Sequence, residues 1–160
     1  QRSLPEMWPT AMRLQEEGAV VLTAGMDLKP IRGKNGLPIT PDTLIESVNA
    51  DEIFGLVLPG GWAPDKLRRY AAVKDLIAKV HAQGKIIGII CHGGLLAISA
   101  KILTGGHATG SLGIKDDLEN AGMKWLDKAA FREGNLVWGR VVADIPAFNK
   151  ELVAALQEKA

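Results

Sequence analysis

Lys85-Ile86-Ile87-Gly88-Ile89-Ile90-Cys91-His92-Gly93-Gly94-Leu95-Leu96 decides how the rest of the chain is read. The isoleucine run, interrupted by one glycine, is short and apolar throughout. That is the pattern of a strand covered on both faces of a parallel sheet. It stops at Cys91, the single cysteine of the sequence. A histidine and two glycines follow, and Leu95 to Lys101 reads as a helix. A strand that turns sharply into a helix at a thiol is the thiol counterpart of the nucleophile elbow. Such a turn lifts the side chain to the carboxyl end of the sheet, where open α/β folds hold their ligands. The helix N-terminus behind it favours a thiolate over a thiol.

A second elbow precedes the first. Ile53 to Leu58 is another buried strand, ending in Pro59-Gly60-Gly61, and Pro64 and Asp65 open a long amphipathic helix closed by Gly84. If the two strands are neighbours, Gly60 and Gly61 let backbone approach a ligand beside Cys91. The N–H groups of Gly61 and His92 then form a candidate oxyanion hole. Upstream, Glu6 to Gly18 reads as a helix with Gly18 as its cap, and Ala19 to Ala24 as a buried strand. Asn35-Gly36 signals the turn of a small hairpin, and Asp42 to Val48 reads as a short helix. Downstream lie the small-residue loop from Gly105 to Gly113 and a helix from Lys115 to Ala121 stopped by Gly122. Short strands are expected at Met123–Leu126, Ala129–Arg132 and Asn135–Trp138, the last two joined across Glu133-Gly134. Asp144 is expected to cap a final helix through Leu156. Strands separated by helices imply parallel βαβ units: a doubly wound sheet with helices on both faces and a small β appendage.

At 160 residues without a repeat or linker, the chain is expected to form a single domain spanning residues 1–160. A net charge of +1 offers no basic excess for nucleic acid, and no apolar run is long enough to span a bilayer. One cysteine excludes an intrachain disulfide and fits a reducing compartment; with no leader pattern, a cytoplasmic location is expected. The start at Gln1 suggests processing or trimming at that end. His81 and His107 have no metal-ligand spacing with Cys91, and neither a G-x-G-x-x-G pattern nor a P-loop lysine is present, so no cofactor is implied. A lone cysteine is most often a buried structural residue; the elbow and adjacent His92 favour a working thiol. Trp62 and Trp138 are read as core or pocket residues.

Leu58-Pro59-Gly60-Gly61-Trp62-Ala63-Pro64-Asp65, Ile90-Cys91-His92-Gly93, Gly113-Ile114-Lys115-Asp116-Asp117 with Asn120-Ala121-Gly122, and Arg140 with Pro146-Ala147-Phe148 together resemble the DJ-1/PfpI superfamily. The resemblance is nearest to PfpI-like intracellular proteases and deglycases. It implies a flavodoxin-like fold of the glutamine amidotransferase kind, Cys91 as nucleophile, His92 as its partner and the Gly61 amide in the oxyanion hole. Gly60, Trp62, Gly93 and Ser111 fall at substrate-facing positions. It also implies a glutamate against the cysteine; Glu6 stands one position from the family's, so Glu6 is the candidate. Family chains carry a further apolar strand before the segment that opens this sequence, so removal or omission of that strand is expected. Ser111 and Leu112 replace a Tyr-Pro pair, and Gly94 replaces a proline after Cys-His-Gly. The implied activity is attack on a small carbonyl or amide compound, as in glyoxalase, deglycase or peptidase chemistry, by a dimer or a hexamer built of dimers. The alternative is a redox-sensing or chaperone-like stress protein using an oxidisable Cys91.

Overall fold

The computed structural model describes residues 4–32 and 38–160, with side chains from Met7 onward. The helices are α1 (Leu4–Glu16), α2 (Ala63–Leu67), α3 (Ala71–Ala82), α4 (Gly94–Ser99), α5 (Lys115–Asn120) and α6 (Ile145–Lys159). The strands are β1 (Ala24–Gly25), β2 (Ile31–Arg32), β3 (Pro38–Ile39), β4 (Thr43–Leu44), β5 (Gly55–Leu58), β6 (Ile86–Ile90), β7 (His107–Ala108), β8 (Lys124–Trp125), β9 (Ala130–Glu133) and β10 (Leu136–Gly139). The main sheet has four strands in the order β5-β6-β10-β9. β6 runs parallel to both β5 and β10, and β9 closes the edge antiparallel to β10.

β6 is buried at all five positions because each face is covered by helices. Strand side chains alternate between faces. Ile87 and Ile89, with Leu136 and Trp138, pack against Val73, Ile77 and Val80 of α3, Leu96 of α4 and Leu118 of α5. Ile86, Ile90 and Val137 point the other way, onto Phe148 and Leu152 of α6 and Leu14 of α1. Each such isoleucine contributes about 1.5–3 kcal/mol of burial. The glycine in the run has a packing reason: a Cβ on Gly88 would stand 2.9 Å from Phe148 Cζ and 3.1 Å from Leu152 Cδ1. The layered, mainly parallel architecture is the one expected.

Several local expectations change. The apolar stretch at 19–23 is irregular rather than a buried strand; only Ala24 and Gly25 pair, with Thr43 and Leu44. Val20 is 91% and Leu22 65% exposed, because among the described residues no strand lies beside them to complete a ladder. The segment expected as a helix at 42–48 is β4 and a 3-10 turn, since Asp42 is spent on the N–H and hydroxyl of Thr23. Those two bonds also hold its carboxyl below the ordinary range. The helix expected from Pro64 to Gly84 is two helices, parted where Tyr70 turns extended at ψ 129°. The hairpin β9–β10 belongs to the main sheet, and the small β pieces outside it are β2–β3 and β7–β8. β2 and β3 pair antiparallel on either side of residues 33–37; the Asn35-Gly36 turn itself lies outside the described residues. Asp144 precedes α6 as expected, yet its side chain caps nothing there: it binds Arg140. Among the described residues, no helix is long and apolar enough to cross a membrane.

Candidate active site

The registers β5/β6 and β6/β10 bring three strand ends to one level. Leu58 pairs with Ile89 and Gly139 with Ile90, so Pro59-Gly60-Gly61, Cys91 and Arg140 all follow at the carboxyl end of the sheet. Cys91 leaves the strand with φ at +56°, a left-handed conformation that is rare for residues with a Cβ. A 3-10 turn over Cys91–Gly93 then feeds α4. The elbow is jammed against its neighbour: a Cβ on Gly93 would lie 2.4 Å from the Leu58 carbonyl oxygen. On the other side, a Cβ on Gly110 would lie 2.6 Å from the Cys91 oxygen, which accepts a 3.3 Å hydrogen bond from the Ser111 N–H. Strained φ and tight packing on both flanks fix where the thiol sits.

Cys91 is half-buried, and its Sγ stands 3.3 Å from His92 Nδ1. Adjacent side chains on a sharp turn often diverge; here they converge. The His92 ring is bracketed by two loops. Trp62 approaches it with ring centroids 6.2 Å apart and planes inclined at 34°. From the 111–113 turn, a Cβ on Gly113 would be 3.6 Å from His92 Nε2 and 3.8 Å from Ser111 Oγ. The structure therefore gathers Cys91, His92, Gly60, Gly61, Trp62, Gly93 and Ser111 around one sheet end. Gly60 and Gly61 are buried, and Gly61 has φ at +74°. Glu6 lies in α1, but its side chain is outside the described residues.

Outside that group, Trp138 is fully buried core beneath the sheet, whereas Trp62 is 68% exposed. His81 receives Asn135 Nδ2 at 3.1 Å near the opposite end of β6. His107 takes up Glu133, whose Oε2 accepts its N–H at 2.7 Å and whose Oε1 lies 2.9 Å from Nδ1. The ring contact, then the backbone bond, hold the Glu133 carboxyl below its ordinary value. Two residues named by the resemblance gain a setting that the sequence does not show. Arg140 forks onto Asp144 at 2.9 and 3.3 Å and reaches Asp127 at 2.8 Å, locking the loops beside the elbow. Its pKa is driven up chiefly by the bonds to Asp144, then to Asp127. Leu112, between Ser111 and the Gly113 that faces His92, is 76% exposed. The resemblance singles out Arg140, but its bonds to Asp144 and Asp127 follow only from the fold.

The DJ-1/PfpI family pattern matches residues 4–155, including the elbow, the Gly-Gly turn and the Arg140 strand end. The chain belongs to the DJ-1/PfpI family. A deglycase of Pyrococcus abyssi is 41% identical over 145 residues, 91% of this chain and 87% of that protein. The Bacillus subtilis protein named "Putative cysteine protease YraA" is 33% identical, over 87% of this chain and 80% of its own. Among solved structures, a two-domain protein of Anabaena variabilis with DJ-1/ThiJ/PfpI-like and ferritin-like domains superposes with a TM-score of 0.92 at 32% identity, over 96% of this chain. The chain spans 44% of that two-domain protein. The DJ-1/PfpI chain thus has relatives named as deglycases and as a cysteine protease, on one flavodoxin-like α/β frame.

Proposed function

We propose that the protein is a cysteine-dependent enzyme in which Cys91 Sγ attacks the carbonyl carbon of a small α-oxoaldehyde or of its adduct with an amino group. The observation that carries this reading is the thiol held at φ +56° on the sheet's carboxyl end with His92 Nδ1 at 3.3 Å. His92 takes the thiol proton at Nδ1, and the sulfur lone pair forms the C–S bond while the carbonyl π pair moves to oxygen. The amides of Gly61 and His92 are the candidates for stabilising that oxygen. The proton on the attacked carbon then passes through an enediol to the adjacent carbon, leaving a 2-hydroxy thioester that water cleaves. The balance is oxoaldehyde plus water to 2-hydroxy acid, with the thiol regenerated. Removal of an amino-group adduct shares the first attack and releases the amine. Glu6 remains the candidate carboxylate partner of the thiol, and the body of the enzyme is expected to be one domain acting as a homo-oligomer.

The test is lactate formation from methylglyoxal. Cys91→Ser is expected to lower kcat/KM by at least about 10³-fold and His92→Ala by roughly 10²-fold. Turnover retained in Cys91→Ser sinks the proposal. Selective sulfinic acid at Cys91 under mild peroxide, with no aldehyde turnover, replaces it with the redox-sensing reading.

A further inference from the structure

Two large apolar side chains on the loops beside His92 are mostly exposed. Trp62, at the turn after β5, is 68% exposed, and its indole lies beside the His92 imidazole at 6.2 Å between centroids. Leu112, 76% exposed, sits on the other loop, between Ser111 and the Gly113 that faces His92 Nε2. Phe54, 53% exposed just ahead of β5, lies at the opposite end of that strand from the elbow. Isolated exposed apolar residues are ordinary; one lying beside the ring that contacts a candidate nucleophile, with a second on the loop facing that ring, is placed to meet whatever the nucleophile attacks.

We infer that Trp62 and Leu112 are the walls of a subsite for an apolar, preferentially aromatic, substituent on the carbonyl substrate. The inference rests on the Cys91 attack proposed above and names its substrate class: aryl-substituted α-oxoaldehydes are taken in preference to small alkyl ones. With Sγ on the Nδ1 side of His92, a carbonyl carbon bonded to sulfur extends its substituent across the imidazole towards the indole. An aryl ring gains an offset or tilted aromatic contact there, and a methyl group gains little. Leu112 adds apolar area on the other loop, so a polar substituent against these two side chains loses water and gains no hydrogen bond from Leu112. Neither polar selection nor a charged anchor enters this wall; shape and apolar area set the choice.

The experiment compares substrates within each variant, so that loss of catalytic power cancels. The ratio of kcat/KM for phenylglyoxal over methylglyoxal is measured in the full chain, in Trp62→Ala, in Leu112→Ser and in Phe54→Ala as the exposed apolar control. A second readout needs no turnover: the rates at which N-phenylmaleimide and N-methylmaleimide alkylate Cys91, followed by intact mass. Trp62→Ala is expected to lower the aryl-over-methyl ratio about tenfold in both readouts and Leu112→Ser about threefold, with Phe54→Ala unchanged. A ratio that moves in neither readout overturns the inference. If the protein converts neither aldehyde while the maleimide ratio still falls in Trp62→Ala, the proposed reaction fails and the wall stands.

Discussion

Two apolar, strand-favouring runs of this chain end in opposite environments. Ile86 to Ile90 is buried at every position and bonded on both edges, to β5 and to β10. Ala19 to Thr23 is also mostly apolar, yet it is irregular and leaves Val20 and Leu22 in water. The difference lies outside the runs themselves. Apolar β-branched residues fit a pleated, flanked surface, and they form a strand only where neighbours supply the ladder and helices supply the cover. β6 has both, so its end is rigid enough to hold Cys91 in a left-handed conformation. At 19–23 the ties are sparse: Ala19 N–H to the Leu14 carbonyl, Val21 against the α6 side of the core, the Thr23–Asp42 bonds and the adjoining short β1–β4 pair. Order at the elbow is therefore a property of the central sheet.

The largest effects should follow truncation on the buried side of this comparison. Phe148 fills the space above Gly88 and is fully buried, so Phe148→Ala is expected to cost about 3–5 kcal/mol in urea unfolding. A loss below 1 kcal/mol would mean that α6 does not anchor the sheet beneath the elbow. A smaller effect probes the elbow itself. At φ +56°, alanine in place of Cys91 keeps the left-handed strain and glycine releases it. Cys91→Gly should therefore unfold about 1 kcal/mol later than Cys91→Ala, although neither retains the thiol. Equal midpoints would show that the turn stores no strain.

The candidate site's placement at the sheet end could be read before the fold was known, because its signals are local. Cys91 ends an unbroken apolar run, and the elbow needs small residues where Gly93 meets the Leu58 carbonyl. Helix ends were legible for the same reason: Gly18, Gly84 and Gly122 all take positive φ after α1, α3 and α5. What could not be read depends on partners distant in sequence. Asp144 has the right position for an N-cap, but Arg140 is a stronger attraction than the amides of α6, and it draws the carboxylate away. β10 looks like one arm of a detached hairpin until its parallel register with β6 makes it the sheet's third strand. Tyr70 breaks a continuous helical pattern; nothing in that pattern predicts where, and Arg68 Nε donating to Ser99 Oγ at 2.8 Å shows the neighbouring turn tied to the end of α4. In the sequence Leu112 stands out only as a replacement in the family pattern; its exposure, next to the Gly113 that faces His92, comes from the fold.

The smallest expected effect is at the exposed run. Val20→Lys with Leu22→Lys places two charges where the structure leaves 91% and 65% of the native side chains in water. No buried contact is lost and no charge is desolvated, so the unfolding midpoint should stay within about 0.5 kcal/mol of the parent. The apolar area removed from the surface should also make the variant less prone to self-association, read as a lower weight-average mass in sedimentation at high concentration. A destabilisation above about 1 kcal/mol would break the comparison: it would mean that in solution this run is covered, as β6 is, and that its exposure in the isolated chain is an unpaired ladder rather than a solvated loop. The two outcomes separate cleanly, because lysine is tolerated at a wet site and is costly at a packed one.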